Sequence, residues 1–351
     1  MPDLHPRPTL LSLESAFPSL KVTQKEMSES LSTGWFQSVP QVSHIMERSR
    51  VQHRRMAVSP RELMARERLG VGERMALHEH AVVEVATRSA EAALSTHDRE
   101  RIGSLIMACS TGAISPTPDL LLARNLQLRP SLRRTFVANM ASGAGLNALS
   151  VALDGLAARP ADRVLVNCTE IHSVHLRNEP TREQAVIHSL FGDASISLVL
   201  GLEEPGAGPQ VLRSLSRQLY DAHELISWKL LDDGFRMTLS PAVPALVGEH
   251  IESFIGALLG PERLGVQDIQ HWALHPGGPK IVEQLAQKLR LSDSQLRATW
   301  SILGEYGNCS SATVLLVLEE LLAQDRPRPG EYGVLFSCGP GMTMEGALLR
   351  F

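Results

Sequence analysis

The sequence predicts an α/β fold whose sheets are covered by helices. Three observations lead there. Short apolar runs of strand character (Ile102–Cys109, Arg163–Cys168, Ile196–Leu200) alternate with segments of helical period. The chain has 351 residues, enough for two ordinary domains or one large layered unit. Its small-residue turns also come as a matched pair. Ala141-Ser-Gly-Ala-Gly145 opens a helix over Leu146–Leu156, Gly307-Asn-Cys-Ser-Ser311 opens one to Leu322, and an apolar strand follows each. The same unit used twice suggests a duplicated architecture in which the two helix starts meet inside.

In order along the chain, residues 1–58 read as irregular to helical, with a basic stretch Arg48–Arg55. Ser59-Pro60-Arg61-Glu62 is a capping box with proline at the first helical position. A longer helix over Val71–Leu94 sets Met75, Val82, Val83, Ala86 and Ala90 at helical spacing. The three strands named above follow. The turn-rich stretch Glu203-Glu-Pro-Gly-Ala-Gly-Pro209 then marks the boundary between halves, 1–205 and 206–351. The second half reads as helix Val243–Leu259, strand Ile269–Leu274, helix Pro279–Leu289 and helix Ser310–Leu322. Strands Gly333–Ser337 and Ala347–Phe351 close the chain.

Composition narrows the function classes. Thirty-four basic against 38 acidic residues give a net charge of −4 with no basic block, which argues against nucleic acid as the main partner. No run approaches the ~18 apolar residues of a membrane helix, and the N-terminus lacks a secretory pattern, so the expectation is a cytoplasmic protein. Four scattered cysteines (Cys109, Cys168, Cys309, Cys338) form neither a disulfide framework nor a zinc pattern. None of the 13 histidines sits in HExxH. His78 and His80 lie two apart and would not share a helix face, so they read as solvated or core-edge positions.

Three segments crowd small residues around one reactive group. Ser142, entering an apolar helix, can place its hydroxyl where helix N–H groups stabilise an anion; equally, it can be a helix cap. His275 ends an apolar strand before Pro-Gly-Gly-Pro279 and is presented at a sheet end, or else is a structural histidine. Asn308 in Glu305-Tyr-Gly-Asn308-Cys-Ser-Ser311 can cap a helix or donate its amide to a carbonyl.

Together with RVLVNCTE (163–170), SLFGDASISLVLG (189–201), LHPGGP (274–279), EYGNCSSA (305–312) and SCGPGMT (337–343), these segments resemble the thiolase superfamily. The resemblance is to its chalcone-synthase-like branch, the type III polyketide synthases, from about Arg48 to Phe351. It implies the five-layered αβαβα thiolase fold, two similar halves about a pseudo-two-fold axis, and a homodimer. It implies an acyltransferase acting on acyl and malonyl-type thioesters, carried by coenzyme A or an acyl carrier protein, without metal or redox cofactor. The family's Cys–His–Asn triad maps to Ser142, His275 and Asn308. Its substrate lining maps to Phe191, Leu239, Ser110, Thr111, His175, Ser310 and the Gly339-Pro340-Gly341 turn.

This chain departs from the family pattern. Serine stands where the nucleophilic cysteine is expected, Leu239 at the second phenylalanine gate, His175 at a small threonine, and Ser115 at a methionine that reaches across the dimer. Val42, Ile45 and Ser49 occupy the coenzyme A-gripping positions, with Arg48 and Arg50 nearby. A serine has no ready ionised population and needs a base during attack. Four readings stay open: a natural serine acyltransferase with or without carbon–carbon bond formation, decarboxylation without an acyl-enzyme, an engineered cysteine-to-serine trap, or a non-catalytic partner subunit. Low aromatic content and Leu239 point to an aliphatic substrate.

Overall fold

The computed structural model of the protein describes residues 6–66 and 69–351. Nine strands form the main sheet: β1 (Arg7–Ala16), β2 (Ile102–Ala108), β3 (Arg133–Val137), β4 (Arg163–Glu170), β5 (Ala194–Glu203), β6 (Gln210–Gln218), β7 (His271–Leu274), β8 (Tyr332–Gly339) and β9 (Thr343–Arg350). Their order is β7-β8-β9-β6-β1-β5-β4-β2-β3. Four helices build its layers: α1 (Val71–Leu94), α2 (Ala144–Ala158), α3 (Val243–Leu259) and α4 (Thr313–Gln324).

The duplication is visible in the pairing. β1 runs antiparallel to β5, β5 antiparallel to β4, and β4 parallel to β2, which pairs parallel with β3. In the second half β6 runs antiparallel to β9, β9 antiparallel to β8, and β8 parallel to β7. The halves join where Thr9 of β1 opposes Gln210 of β6. Because side chains alternate along a strand, each sheet serves two cores. Val164, Val166 and Cys168 of β4 face a central core shared with α2 and α4, while Leu165 faces α1. Leu335 of β8 faces the same central core, while Val334 and Phe336 face α3. The resulting layers are α1, the first half of the sheet (β1 to β5), α2 with α4, the second half of the sheet (β6 to β9), and α3.

The helices Val71–Leu94, Val243–Leu259 and Pro279–Leu289 lie where their apolar periods predict. Ser59 caps its helix by accepting the Glu62 N–H at 3.1 Å, without the reciprocal bond of a full capping box. Two readings need correction. Residues Arg7–Ala16, expected to be irregular to helical, form the strand joining the halves. With neighbours on both sides and a register shift between Leu10 and Ser12, this strand loses the clean alternation that marks an amphipathic strand. His78 is neither solvated nor at the core edge. It is fully buried on the inner face of α1, with Nε2 3.1 Å from the Thr111 hydroxyl. Among the described residues no helix is long and apolar enough to cross a membrane.

Candidate active site

The C-terminal ends of β2, β4, β7 and β8 and the starts of α2 and α4 meet at one place, where open α/β sheets commonly bind ligands. The contact between halves is tight. A Cβ on Gly145 of α2 would lie 2.3 Å from the Ser311 carbonyl oxygen, so only glycine lets the two helix starts approach. Each start is a 3₁₀ turn whose first residue is left-handed: Ala141 at φ +40° and Ser310 at φ +51°.

His275 follows β7 directly. Its N–H extends the parallel ladder to the Phe336 carbonyl at 2.8 Å, and the Gly277 N–H folds back onto the His275 carbonyl at 3.0 Å. Both ring nitrogens are buried without a partner, and burial drives the imidazole down to about 3, leaving it neutral near pH 7.

Asn308 is held by Gly307, whose φ of +72° and closeness to the Leu190 carbonyl (2.4 Å from a would-be Cβ) exclude other residues. The Asn308 N–H donates to the Leu190 carbonyl at 2.8 Å, and the Gly192 N–H donates to the Asn308 carbonyl at 3.0 Å. This bridge sets Phe191 beside Asn308. Because the Asn308 side-chain oxygen accepts the Ser310 N–H at 2.8 Å, its NH₂ end remains as the free donor. Ser142 sits in the turn ahead of α2. Its carbonyl accepts the Ser337 hydroxyl at 2.6 Å, while its own hydroxyl bonds to none of the described residues.

Ser142, His275, Asn308, Phe191, Leu239 and Ser310 line one narrow cavity with Gly339, Pro340 and Cys338. The structure thus gathers most residues singled out in the sequence. Four do not line it. The Ser110 hydroxyl accepts the Ala141 N–H at 2.8 Å beneath the Ser142 turn, and the Thr111 hydroxyl is spent on Glu170 and the Ile171 N–H. Gly341 lies beyond Pro340, off the lining. His175 lines an adjoining cavity that shares Phe191, Trp228 and Met237 with the first.

Sequence reasoning missed the walls and the bracing. Ile226, Trp228 and Met237 come from a hairpin, Ile226–Leu231 with Gly234–Leu239, whose Asp-Asp-Gly turn is the signal that reveals it. Arg54 is fully buried and donates to the carbonyls of His188 (2.8 Å), Ser189 (2.9 Å) and Phe191 (2.9 Å), holding the segment that presents Phe191. Glu170 ends β4 beneath both turns. It accepts the Ser110 N–H (2.9 Å), the Thr111 hydroxyl (2.9 Å) and the Ser311 hydroxyl (2.7 Å), and its burial raises it to about 7 despite those bonds.

No cysteine is a ready nucleophile. Burial raises the thiols of Cys109, Cys168 and Cys309, and pushes Cys338, the one on the cavity wall, up to about 12. Among the described residues no cluster of three or more His, Cys, Asp or Glu side chains is arranged to hold a metal ion.

Two topologically matching halves, with paired central helices opening onto a shared site, constitute a thiolase fold. PKS-I from the brown alga Ectocarpus siliculosus has the same architecture at a TM-score of 0.92, with 27% identity over 100% of both chains. So does the C-terminal type III polyketide synthase domain of Steely1, a type I/III hybrid from Dictyostelium, at 0.91 and 25% identity, covering 98% of this chain and 99% of that one. The chain belongs to the chalcone and stilbene synthase family, the type III polyketide synthases: residues 6–205 match its N-terminal domain and 210–351 its C-terminal domain. Relatives include a 3,5-dihydroxyphenylacetyl-CoA synthase of Amycolatopsis orientalis, 35% identical over 80% of this chain and 77% of that protein. Another is the alpha-pyrone synthesis polyketide synthase-like Pks18 of Mycobacterium tuberculosis, 36% identical over 88% and 81%.

Proposed function

We propose that the protein is a condensing acyltransferase that uses Ser142 where its family uses cysteine. One observation carries the reading. An unbonded serine hydroxyl, an imidazole with both nitrogens unpartnered, and an amide with its NH₂ end free line the same narrow cavity. Buried polar groups are normally paired, so the two open ring nitrogens of buried His275, set beside that hydroxyl and amide, mark a group held ready for a substrate.

In this reading the Ser142 oxygen attacks the carbonyl carbon of an acyl thioester as His275 takes its proton. The tetrahedral intermediate collapses by breaking the C–S bond, and the thiolate leaves with that proton, leaving an acyl ester on Ser142. A malonyl thioester then loses its carboxylate as carbon dioxide. The electron pair moves into an enolate whose oxygen is held by His275 N–H and the Asn308 NH₂. The enolate carbon attacks the Ser142 ester carbonyl, the C–O bond to the serine breaks, and the Ser142 oxygen takes up a proton that solvent water supplies. A neutral His275 suits both duties, since it offers one lone pair and one N–H. This reading draws on no metal or redox step, and its donor can be tethered to coenzyme A or to a carrier protein.

Intact-protein mass spectrometry after incubation with acyl thioesters tests this reading. It predicts an adduct on the Ser142 peptide and none in Ser142→Ala. Carbon dioxide release from malonyl thioester with no adduct from any donor would instead establish decarboxylation without an acyl-enzyme.

A further inference from the structure

Behind Phe191 the adjoining cavity holds a polar set that the chemistry above does not use. His172 donates its Nδ1–H to the Gly192 carbonyl at 2.8 Å, so its Nε2 carries the lone pair, and that nitrogen is buried without a partner. His175 is the reverse: Nε2–H donates to the Thr111 carbonyl at 2.7 Å, and Nδ1 is the unpartnered acceptor. The third open group is the Trp228 indole N–H, also buried and unpartnered. All three residues line this cavity, and their rings are mutual neighbours. The His172 and His175 ring centroids each lie 6.3 Å from that of Trp228, and His172 stacks on Phe191 at 4.7 Å.

Two lone-pair acceptors and one N–H donor match a group that both gives and takes a hydrogen bond. A hydroxyl does this; a carbonyl cannot satisfy the acceptors, and an alkyl end satisfies none of the three. We propose that this chamber selects acyl groups bearing a hydroxyl or enol, its proton accepted by His172 Nε2 or His175 Nδ1 and its oxygen held by Trp228 Nε1–H. The inference rests on the acyl-thioester reading of the neighbouring cavity, and it narrows the aliphatic substrate expected from composition to one that carries a hydroxyl or enol. A site built to bond a hydroxyl rejects the analogue that lacks one far more strongly than an apolar pocket rejects an extra methylene.

The test is calorimetric binding of two matched probe series, ω-hydroxyacyl and n-acyl coenzyme A thioesters of four to eight carbons. For at least one chain length the hydroxylated probe binds wild type about tenfold tighter or more. Three variants remove one open nitrogen each while sparing the bonds that hold the ring. In His172→Asn the amide replaces the Nδ1–H donor, in His175→Gln it replaces Nε2–H, and Trp228→Phe deletes only the indole N–H. Trp228→Phe and at least one of the two histidine variants should lose most of that preference, read as the ratio of hydroxylated to n-acyl affinity within each variant, while an unfolding midpoint close to that of wild type reports an intact fold. Equal binding of both series to wild type, or a preference untouched by all three variants, overturns the inference and leaves the acyl-thioester reading standing. Failure of wild type to bind either series overturns the inference, and the acyl-thioester reading is then decided by the adduct experiment on Ser142.

Discussion

The two halves of this molecule carry the same turn and spend it differently. Ahead of α2 runs Asn139-Met140-Ala141-Ser142; ahead of α4 runs Asn308-Cys309-Ser310-Ser311. Each has a left-handed third residue and a serine fourth. In the second half that serine, Ser311, donates its hydroxyl to Glu170; in the first half Ser142 leaves its hydroxyl open. The strand ends show the opposite division. After β2 come Cys109, whose thiol meets His78, Ser110, whose hydroxyl accepts the Ala141 N–H and whose own N–H donates to Glu170, and Thr111, whose hydroxyl donates to Glu170. After β7 comes His275, with no ring partner. A duplicated frame thus yields one site because each half leaves open the group that the other half ties down. Bonded groups brace the turns, and open groups line the cavity.

The largest expected effect breaks this equivalence outright. Ser142→Ala should reduce acyl loading by about 10³-fold or more with little change in unfolding midpoint, because it removes an unbonded hydroxyl. Its counterpart Ser311→Ala should do the reverse. It leaves one Glu170 oxygen unsatisfied, costing about 1–3 kcal/mol of stability, with loading reduced only through the shifted turn. Adduct mass and chemical denaturation of the same two proteins check both, and equal behaviour would end the comparison.

His275→Ala should abolish loading and decarboxylation together, whereas Asn308→Ala should mainly slow decarboxylation, by roughly 10²–10³-fold, since it removes only a donor. Carbon dioxide release and adduct formation, measured separately, distinguish them. Ser142→Cys sharpens the mechanism. A natural serine enzyme should load faster as the thiol, while an engineered trap should regain full condensation from near zero.

The smallest effect is on pH dependence. His78, His172, His188 and His275 are held at about 3, 4, 4 and 3 by burial, and His175 is also lowered. These folded values lie below the unfolded value of 6.5, so the unfolded chain binds more protons and stability falls as pH drops below about 6.5. Glu170, Glu345 and Asp193, raised to about 7, 7 and 6, act in the opposite sense. Protonated in the fold, they lose stability as pH rises from the ordinary carboxylate range through those values. His97 is lowered as well and Glu319 raised, so with six histidines against four carboxyls the denaturation midpoint should fall gently from pH 6.5 to 4.5. A rise over that range would show that the carboxyl network dominates.

Much of this was legible in sequence because it is local. Helical periods gave α1 and α3 to the residue, and the turn at Glu203–Pro209 joins β5 to β6. The paired turns announced the duplication, and the residues singled out at Ser142, His275, Asn308, Phe191 and Leu239 end on one cavity. What the tertiary structure decided is where polar groups find partners. Nothing in the local sequence says that Ser311 is bonded and Ser142 is not, or that Arg54 is buried under Phe191. Nor does it say that Ser110 and Thr111 serve the frame and not the lining, because those partners lie tens of residues away or more. β1 was lost to sequence reading for the same reason. A strand paired along both edges and shifted in register between Leu10 and Ser12 keeps no clean period of its own, and only the assembled sheet defines it.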